Sequence, residues 1–258
     1  MRVLVTNDDG YDAVGLVAVA ESLLAAGHEV TVGAPLTERS GSGSSLGTIE
    51  DGSRIPLFEK RIDALGNTPV YALDCPPALA AIAFCSGTFG PPPDLVVSGI
   101  NPGHNTGRSV LFSSTVGAVL AARVAGISGL AISTGFAPGH RFDTAAEVAR
   151  GLVQWFGARD SAADPLTLNV NVPELDFAAL QGIRIADLGA KSMFTLRVAR
   201  TDGDLVLRRV ERSSGFASGT DGAAVVDGFV SVTPLSSVGA DLGALSGDGL
   251  PALAAAIG

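Results

Sequence analysis

The 258-residue chain reads as an α/β protein with a Rossmann-like, three-layer core on a mostly parallel sheet and a β-rich C-terminal extension. Three observations predict this. Short runs of Val, Leu and Ile alternate with segments of helical spacing. The runs are continuously apolar, as in strands buried on both faces. The loops after them are rich in Asp, Ser, Asn and Gly, as expected where the carboxyl ends of parallel strands form a ligand crevice.

The elements run in order from the N-terminus. Arg2–Thr6 (RVLVT) is a strand that runs into Asn-Asp-Asp-Gly. Residues 15–26 carry apolar positions at Leu16, Val19, Ala20, Leu23 and Leu24, a helical spacing. A strand over 29–34 (EVTVGA) leads into a long polar stretch. Residues 95–100 (LVVSGI) read as a buried strand, and 115–125 as an Ala-rich helix. A strand over 130–133 (LAIS) precedes a helix over 144–156, whose start, DTAAE, reads as an N-cap followed by an acid in the first turn. Residues 166–172 (LTLNVNV) are the fifth strand.

After about residue 183 the pattern changes. Segments 184–204 and 205–212 alternate loosely and are rich in Arg, with TDGD as a hairpin turn, and 228–234 (GFVSVTP) is a further strand. The chain is expected to divide into a core at 1–182 and an extension at 183–258 that covers the site or pairs subunits. The Ala-rich end is expected to pack as a last helix.

The balance of 17 Lys+Arg against 26 Asp+Glu, net −9, argues against binding long nucleic acid. A small phosphorylated ligand remains compatible when a metal ion supplies the positive charge. Apolar residues make up 47% of the chain, yet no stretch reaches the roughly 18 that a membrane helix needs. The N-terminal apolar run breaks at Asn7 and lacks a basic flank, so it is a strand and not a signal peptide. Cys75 and Cys85 have neither CxxC spacing nor the number for a disulfide framework, and read as buried small side chains. The expectation is a soluble cytoplasmic protein.

Asp8 and Asp9 sit at the mouth of the first strand, and Gly10 supplies the turn that lets both reach one ion. Two carboxylates with neutral oxygens from Ser40 and Asn101 suit a hard cation such as Mg²⁺, Mn²⁺ or Ca²⁺. The same pair also suits the first turn of a helix. The loops 40–45, with Gly41, and 99–107, with Gly103, are candidate anion cradles as well as ordinary turns. Ser113, Ser114 and Thr115 either cap the following helix or donate to a phosphate there. His104 is a candidate acid or substrate contact, or else a solvated loop residue. His28 reads as a turn residue and Trp155 as core, while His140 has no assignable role. No GxGxxG follows the first strand, which argues against a dinucleotide-binding dehydrogenase.

Taken together, VTNDDG, RSGSGSSL, SGINPGHNTG, FSSTVGAVLAA, FDTAAEVA, LNVNVP and GTDGAAVVDGFVSVTPL resemble, in order, segments of the SurE family of metal-dependent nucleotide phosphatases, over roughly residues 1–235. The resemblance implies a Rossmann-like core, a divalent metal (Mg²⁺ or Mn²⁺), and hydrolysis of nucleoside 5′- or 3′-monophosphates. Asp8 and Asp9 match the metal-binding carboxylates, Ser40 the serine ligand and Asn101 the asparagine ligand. Asn7, Asn105, Ser113 and Thr115 fall on polar positions around the phosphate, and Asp8 or Asp9 is the expected base. Homodimers or homotetramers built through a β-hairpin and the C-terminal segment are implied as well.

The chain departs from the family pattern at several places. Arg108 and Ser109 stand where an acid is common, Phe112 replaces a Tyr, Ser114 replaces a Gly, and Leu79 stands where an acid is usual. These departures leave two alternatives open: a phosphatase for another small phosphorylated metabolite, and a non-catalytic nucleotide- or metal-binding module.

Overall fold

In strand β1 (Arg2–Thr6), Val3 and Val5 join one hydrophobic cluster and Leu4 joins another. Alternate residues of a strand point to opposite faces, so the sheet is covered on both sides. In the computed structural model, which describes residues 1–136, 142–159 and 164–236, α1 (Val14–Ala25) and α4 (Phe142–Gly157) cover the Val3/Val5 face. The Leu4 face is covered by α2 (Pro77–Cys85) and α3 (Ser114–Val124).

The main sheet also contains β2 (Glu29–Pro35), β3 (Leu57–Lys60), β4 (Val70–Leu73), β5 (Leu95–Pro102), β6 (Ser128–Thr134), β7 (Thr167–Asn171), β8 (Ile183–Ile185) and β11 (Val230–Leu235). Its order is β3-β4-β2-β1-β5-β6-β7-β11-β8. The strands from β4 to β7 are mutually parallel, and β3 and β11 run antiparallel to their neighbours β4 and β7. Among the described residues, β9 (Phe194–Arg200) and β10 (Leu205–Glu211) pair only with each other. A short helix, α5 (Asp221–Val226), precedes β11. Within its described residues, the extension therefore contributes β8 and β11 to the main sheet and the β9/β10 hairpin.

From β1 the chain builds outward through β2 to β4, then crosses to place β5 on the other side of β1. The strand order reverses between β1 and β5. At such a switch point the flanking loops turn in opposite directions and leave a crevice at the carboxyl edge. Asp8 and Asp9 come just after β1, and Asn101 lies at the end of β5.

Three expectations change. The stretch after β2 contains β3, β4 and α2. Helix α2 (PALAAIAFC) is apolar nearly all round, so it shows no stripe by which to recognise it. Asp143 lies within the first turn of α4 and does not cap it. Trp155 is 48% exposed, because the face of α4 that meets the sheet is made by Ala145, Ala149, Val153 and Phe156. Cys75 and Cys85 are buried free thiols, as expected, and burial pushes both up to about 11. His140 and the Ala-rich end lie outside the described residues.

Candidate active site

Beyond the carboxyl edge of β1 and β5 lies a cavity of about 1010 Å³. Asp8, Asp9, Ser40, Gly41, Asn101, Gly103, Asn105 and Ser113 all line it, so the three loops singled out in the sequence do converge.

Asp8 is 4% exposed, and its Oδ1 accepts a 2.7 Å hydrogen bond from the Thr115 hydroxyl. Burial raises the Asp8 carboxyl above its ordinary range, more than the Thr115 bond lowers it. Asp9 is pushed up to about 7 by burial and by the neighbouring Asp8 and Glu38 charges. Neither carboxylate has a cationic partner among the described residues. Gly10 turns the chain here with φ +115°, and its N–H donates to Asn7 Oδ1 at 3.3 Å.

Asn101 is delivered by an irregularity in β5, where the pairing with β6 shifts register between Ser98 and Asn101. Its Nδ2 donates to the Gly103 carbonyl at 2.7 Å. That bond fixes the amide orientation and leaves Oδ1 as an acceptor. The Gly103 N–H is itself committed to Thr134 O at 2.8 Å, so Gly103 shapes the wall and does not cradle an anion with its N–H.

Ser40 is exposed to the cavity on a loop held from behind by Ser114. The Ser114 hydroxyl donates to Arg39 O and accepts from Ser42 N, both at 2.9 Å. Arg39 N also donates to Asp8 O at 2.7 Å, which ties this loop to the carboxylate pair. Ser113 is the N-cap of α3: its hydroxyl accepts from Val116 N at 3.2 Å while facing the cavity. Capping and site-lining are thus compatible in one residue.

Asn7, Ser114 and Thr115, expected around the phosphate, are each 0% exposed and stand one layer behind the wall. Asn7 Nδ2 is buried with no partner. His104 makes a 2.9 Å Nε2 contact with Val172 O and does not line the cavity; burial lowers its pKa. Leu79 is partly buried against the core of the α2/α3 layer and does not line the cavity. His28 lies between α1 and β2, as expected of a turn residue.

Several contributors were not singled out as functional in the sequence. Asn169 and Asn171 donate their Nδ2 to Asn105 O at 2.8 and 3.0 Å, and Asn171 Oδ1 accepts from Asn105 N at 2.8 Å. Their signal was present in LNVNV: two amides at a period of two on a buried strand face. Asp221, 0% exposed, accepts from the N–H of Gly107, Gly189 and Gly222 at 2.6, 3.1 and 2.8 Å. The hairpin side of the cavity carries Phe194, Arg209 and Arg212. The Arg209 guanidinium stacks on Phe136, 3.5 Å from the ring centroid, and on Phe194 at 4.6 Å. No local pattern announces these contacts, because they join segments distant in the chain.

The donor set suits a hard divalent cation. Among the described residues no group of three or more His, Cys, Asp and Glu is arranged to hold a metal. What the cavity offers is a buried and a half-buried carboxylate without a cation partner among the described residues, lining it together with the neutral oxygens of Ser40 and Asn101, the set expected for Mg²⁺ or Mn²⁺.

The family model for survival protein SurE matches residues 3–195. The chain belongs to the SurE family. The 5′-nucleotidase SurE of Xanthomonas campestris pv. campestris strain B100 is 39% identical over 247 residues, covering 91% of this chain and 89% of that relative. The protein of the same name from Xanthomonas axonopodis pv. citri strain 306 is 38% identical with the same coverage. The crystal structure of the SurE protein from Aquifex aeolicus superposes with a TM-score of 0.78 at 28% identity, over 97% of this chain and 100% of that one. SurE family membership thus agrees with the ordered segments read from the sequence. Among the described residues no helix is long and apolar enough to cross a membrane.

Proposed function

We propose that the chain is a metal-dependent phosphomonoesterase that hydrolyses nucleoside 5′- or 3′-monophosphates to nucleoside and phosphate, with Mg²⁺ or Mn²⁺ held by Asp8, Asp9, Ser40 and Asn101. One observation carries this reading: two adjacent carboxylates, Asp8 buried and Asp9 half-buried, open onto a large cavity at the sheet's switch point with no cation partner among the described residues. The names of the Xanthomonas relatives support it.

An ion held by Asp8, Asp9, Ser40 and Asn101 would supply positive charge for the phosphoryl oxygens and lower the pKa of water. The chain's own residues do the rest. Thr115 holds Asp8 in one orientation. Ser114 and Asn7 stabilise the two loops from behind. Ser113 and the N-terminal end of α3 present donors to the phosphate oxygens, where the helix favours negative charge. Gly41 and Gly103 leave the phosphate room to approach, and Asn105 presents its side chain from a backbone clamped by Asn169 and Asn171. A carboxylate of the pair takes a proton from the attacking water as the water oxygen bonds to phosphorus, the P–O ester bond breaks, and the carboxylic acid so formed returns that proton to the leaving alcohol oxygen.

The same reading places catalysis in residues 1–182 and oligomerisation in 183–258, in a cytoplasmic homodimer or homotetramer. The exposed Leu196, Val198, Leu205 and Leu207 of the hairpin support it, since an isolated two-stranded sheet is marginal alone.

The test is phosphate release from nucleoside monophosphates and an aryl phosphate, with Mg²⁺ or Mn²⁺ and with EDTA, for wild type and Asp8→Asn. Release that needs metal and is lost in the variant is expected. A folded, metal-binding protein that releases no phosphate would instead be a binding module.

A further inference from the structure

The chain carries nine more acids than bases, yet Arg108, Lys191 and Arg212 line the same cavity as the acidic pair. Three sets of contacts bring them together. Gly107, at φ +55°, lies so close to the segment at 189–191 that a Cβ there would meet Lys191 O at 2.5 Å and Gly189 O at 2.7 Å. On either side of Arg108 the backbone is pinned: Gly107 N donates to Asp221 Oδ2 at 2.6 Å, and Ser109 N donates to Ser192 Oγ at 2.9 Å. Met193 N donates to Thr106 Oγ1 at 2.9 Å, and Arg212 N donates to Met193 O at 2.7 Å.

These bonds hold the segments bearing the three cations against one another before any ligand arrives. Among the described residues, no carboxylate pairs with Arg108 or Arg212. Lys191 Nζ donates to Gly215 O at 3.0 Å, which uses one of its three N–H donors. Arg209 also lines the cavity, but its guanidinium faces are covered by the rings of Phe136 and Phe194. Cationic side chains that line one cavity make its potential favourable to an anion.

We propose that Arg108, Lys191 and Arg212 form a subsite for a second phosphate, so that the preferred substrates are small phosphomonoesters carrying two phosphate groups, one at the acidic pair and one at this cation group. The proposal rests on the phosphomonoesterase reading above and refines its substrate class. Guanidinium groups suit this task because each offers paired N–H donors to phosphate oxygens. The cavity has the volume for such a ligand: about 1010 Å³ is at the upper end of what small-molecule sites enclose.

The experiment compares kcat/KM for adenosine 5′-monophosphate and adenosine 3′,5′-bisphosphate in wild type, Arg108→Gln and Arg212→Gln, each with Mn²⁺ at low and high salt. Wild type is expected to favour the bisphosphate by about 10-fold, the worth of a charge-assisted hydrogen bond. That preference is expected to fall below about 3-fold in either variant and at high salt, where exposed charges are screened. Equal kcat/KM for the two nucleotides in wild type, or a preference that both variants retain, would overturn the subsite. Absence of phosphate release from both nucleotides would overturn the hydrolase reading instead. Calorimetric titration of the same two nucleotides then decides the subsite: tighter bisphosphate binding that is lost in Arg108→Gln supports it, and equal binding overturns it.

Discussion

The hydroxyl of Thr115 donates to Oδ1 of Asp8 over 2.7 Å, across 107 residues of sequence. Among the described residues it is the only side-chain hydrogen bond to that buried carboxylate, and it links the start of α3 to the end of β1. Thr115→Val keeps the shape and removes the donor. Mn²⁺ affinity is expected to fall about 10- to 100-fold, as when a group that orients a metal ligand is removed, while Thr115→Ser retains most of it. Calorimetric titration with Mn²⁺ measures both.

Ser114 binds the Ser40 loop through Arg39 O and Ser42 N. Ser114→Ala leaves a partly buried carbonyl and N–H without this partner, at a cost of about 1 kcal/mol. Faster amide exchange is expected across residues 39–45, with exchange in β7 unchanged. Hydrogen-exchange mass spectrometry reads the two regions separately.

Asp221 gathers three backbone N–H groups that join the 104–109 loop to residue 189 and the start of α5. Replacing it with Asn turns one acceptor oxygen into a donor that faces an N–H. The expected loss is about 2–4 kcal/mol in chemical denaturation. KM is expected to rise more than kcat falls, because Asp221 pins the backbone next to the cavity-lining Arg108 and Ala190 and does not hold the acidic pair.

His104 packs its Nε2 against Val172 O, and burial lowers its pKa below the ordinary histidine value. The unfolded chain therefore takes up this proton at a higher pH than the folded protein does. The resulting stability is present above about pH 6.5 and is lost as pH falls through the folded value. Melting temperature is expected to drop between pH 7.5 and 5.5 by a larger amount in wild type than in His104→Gln. Equal drops would show that other groups carry the acid sensitivity.

The strands β1, β2, β5, β6 and β7 were legible because each is a short apolar run ending in a polar loop. The site loops were legible for the same reason: in a parallel sheet, the loops leaving the strands all lie at one edge. The elements β3, β4 and α2 were not legible. The two strands are only four residues each, and the helix has no polar face to give it a period.

The sequence by itself determined the layered α/β core, its buried strands, and the meeting of Asp8, Asp9, Ser40 and Asn101 at one edge. All of these come from apolar periodicity and from the direction in which parallel strands end. Only the tertiary structure decided which polar groups face the cavity and which stand behind it. It moved Asn7, Ser114 and Thr115 into a supporting layer, tied Asn105 to Asn169 and Asn171, and brought Arg108 beside Lys191 and Arg212. The physical reason is that a buried polar group must find its partner wherever the packed fold supplies one. That partner is a matter of three-dimensional adjacency, which no local pattern in the chain encodes.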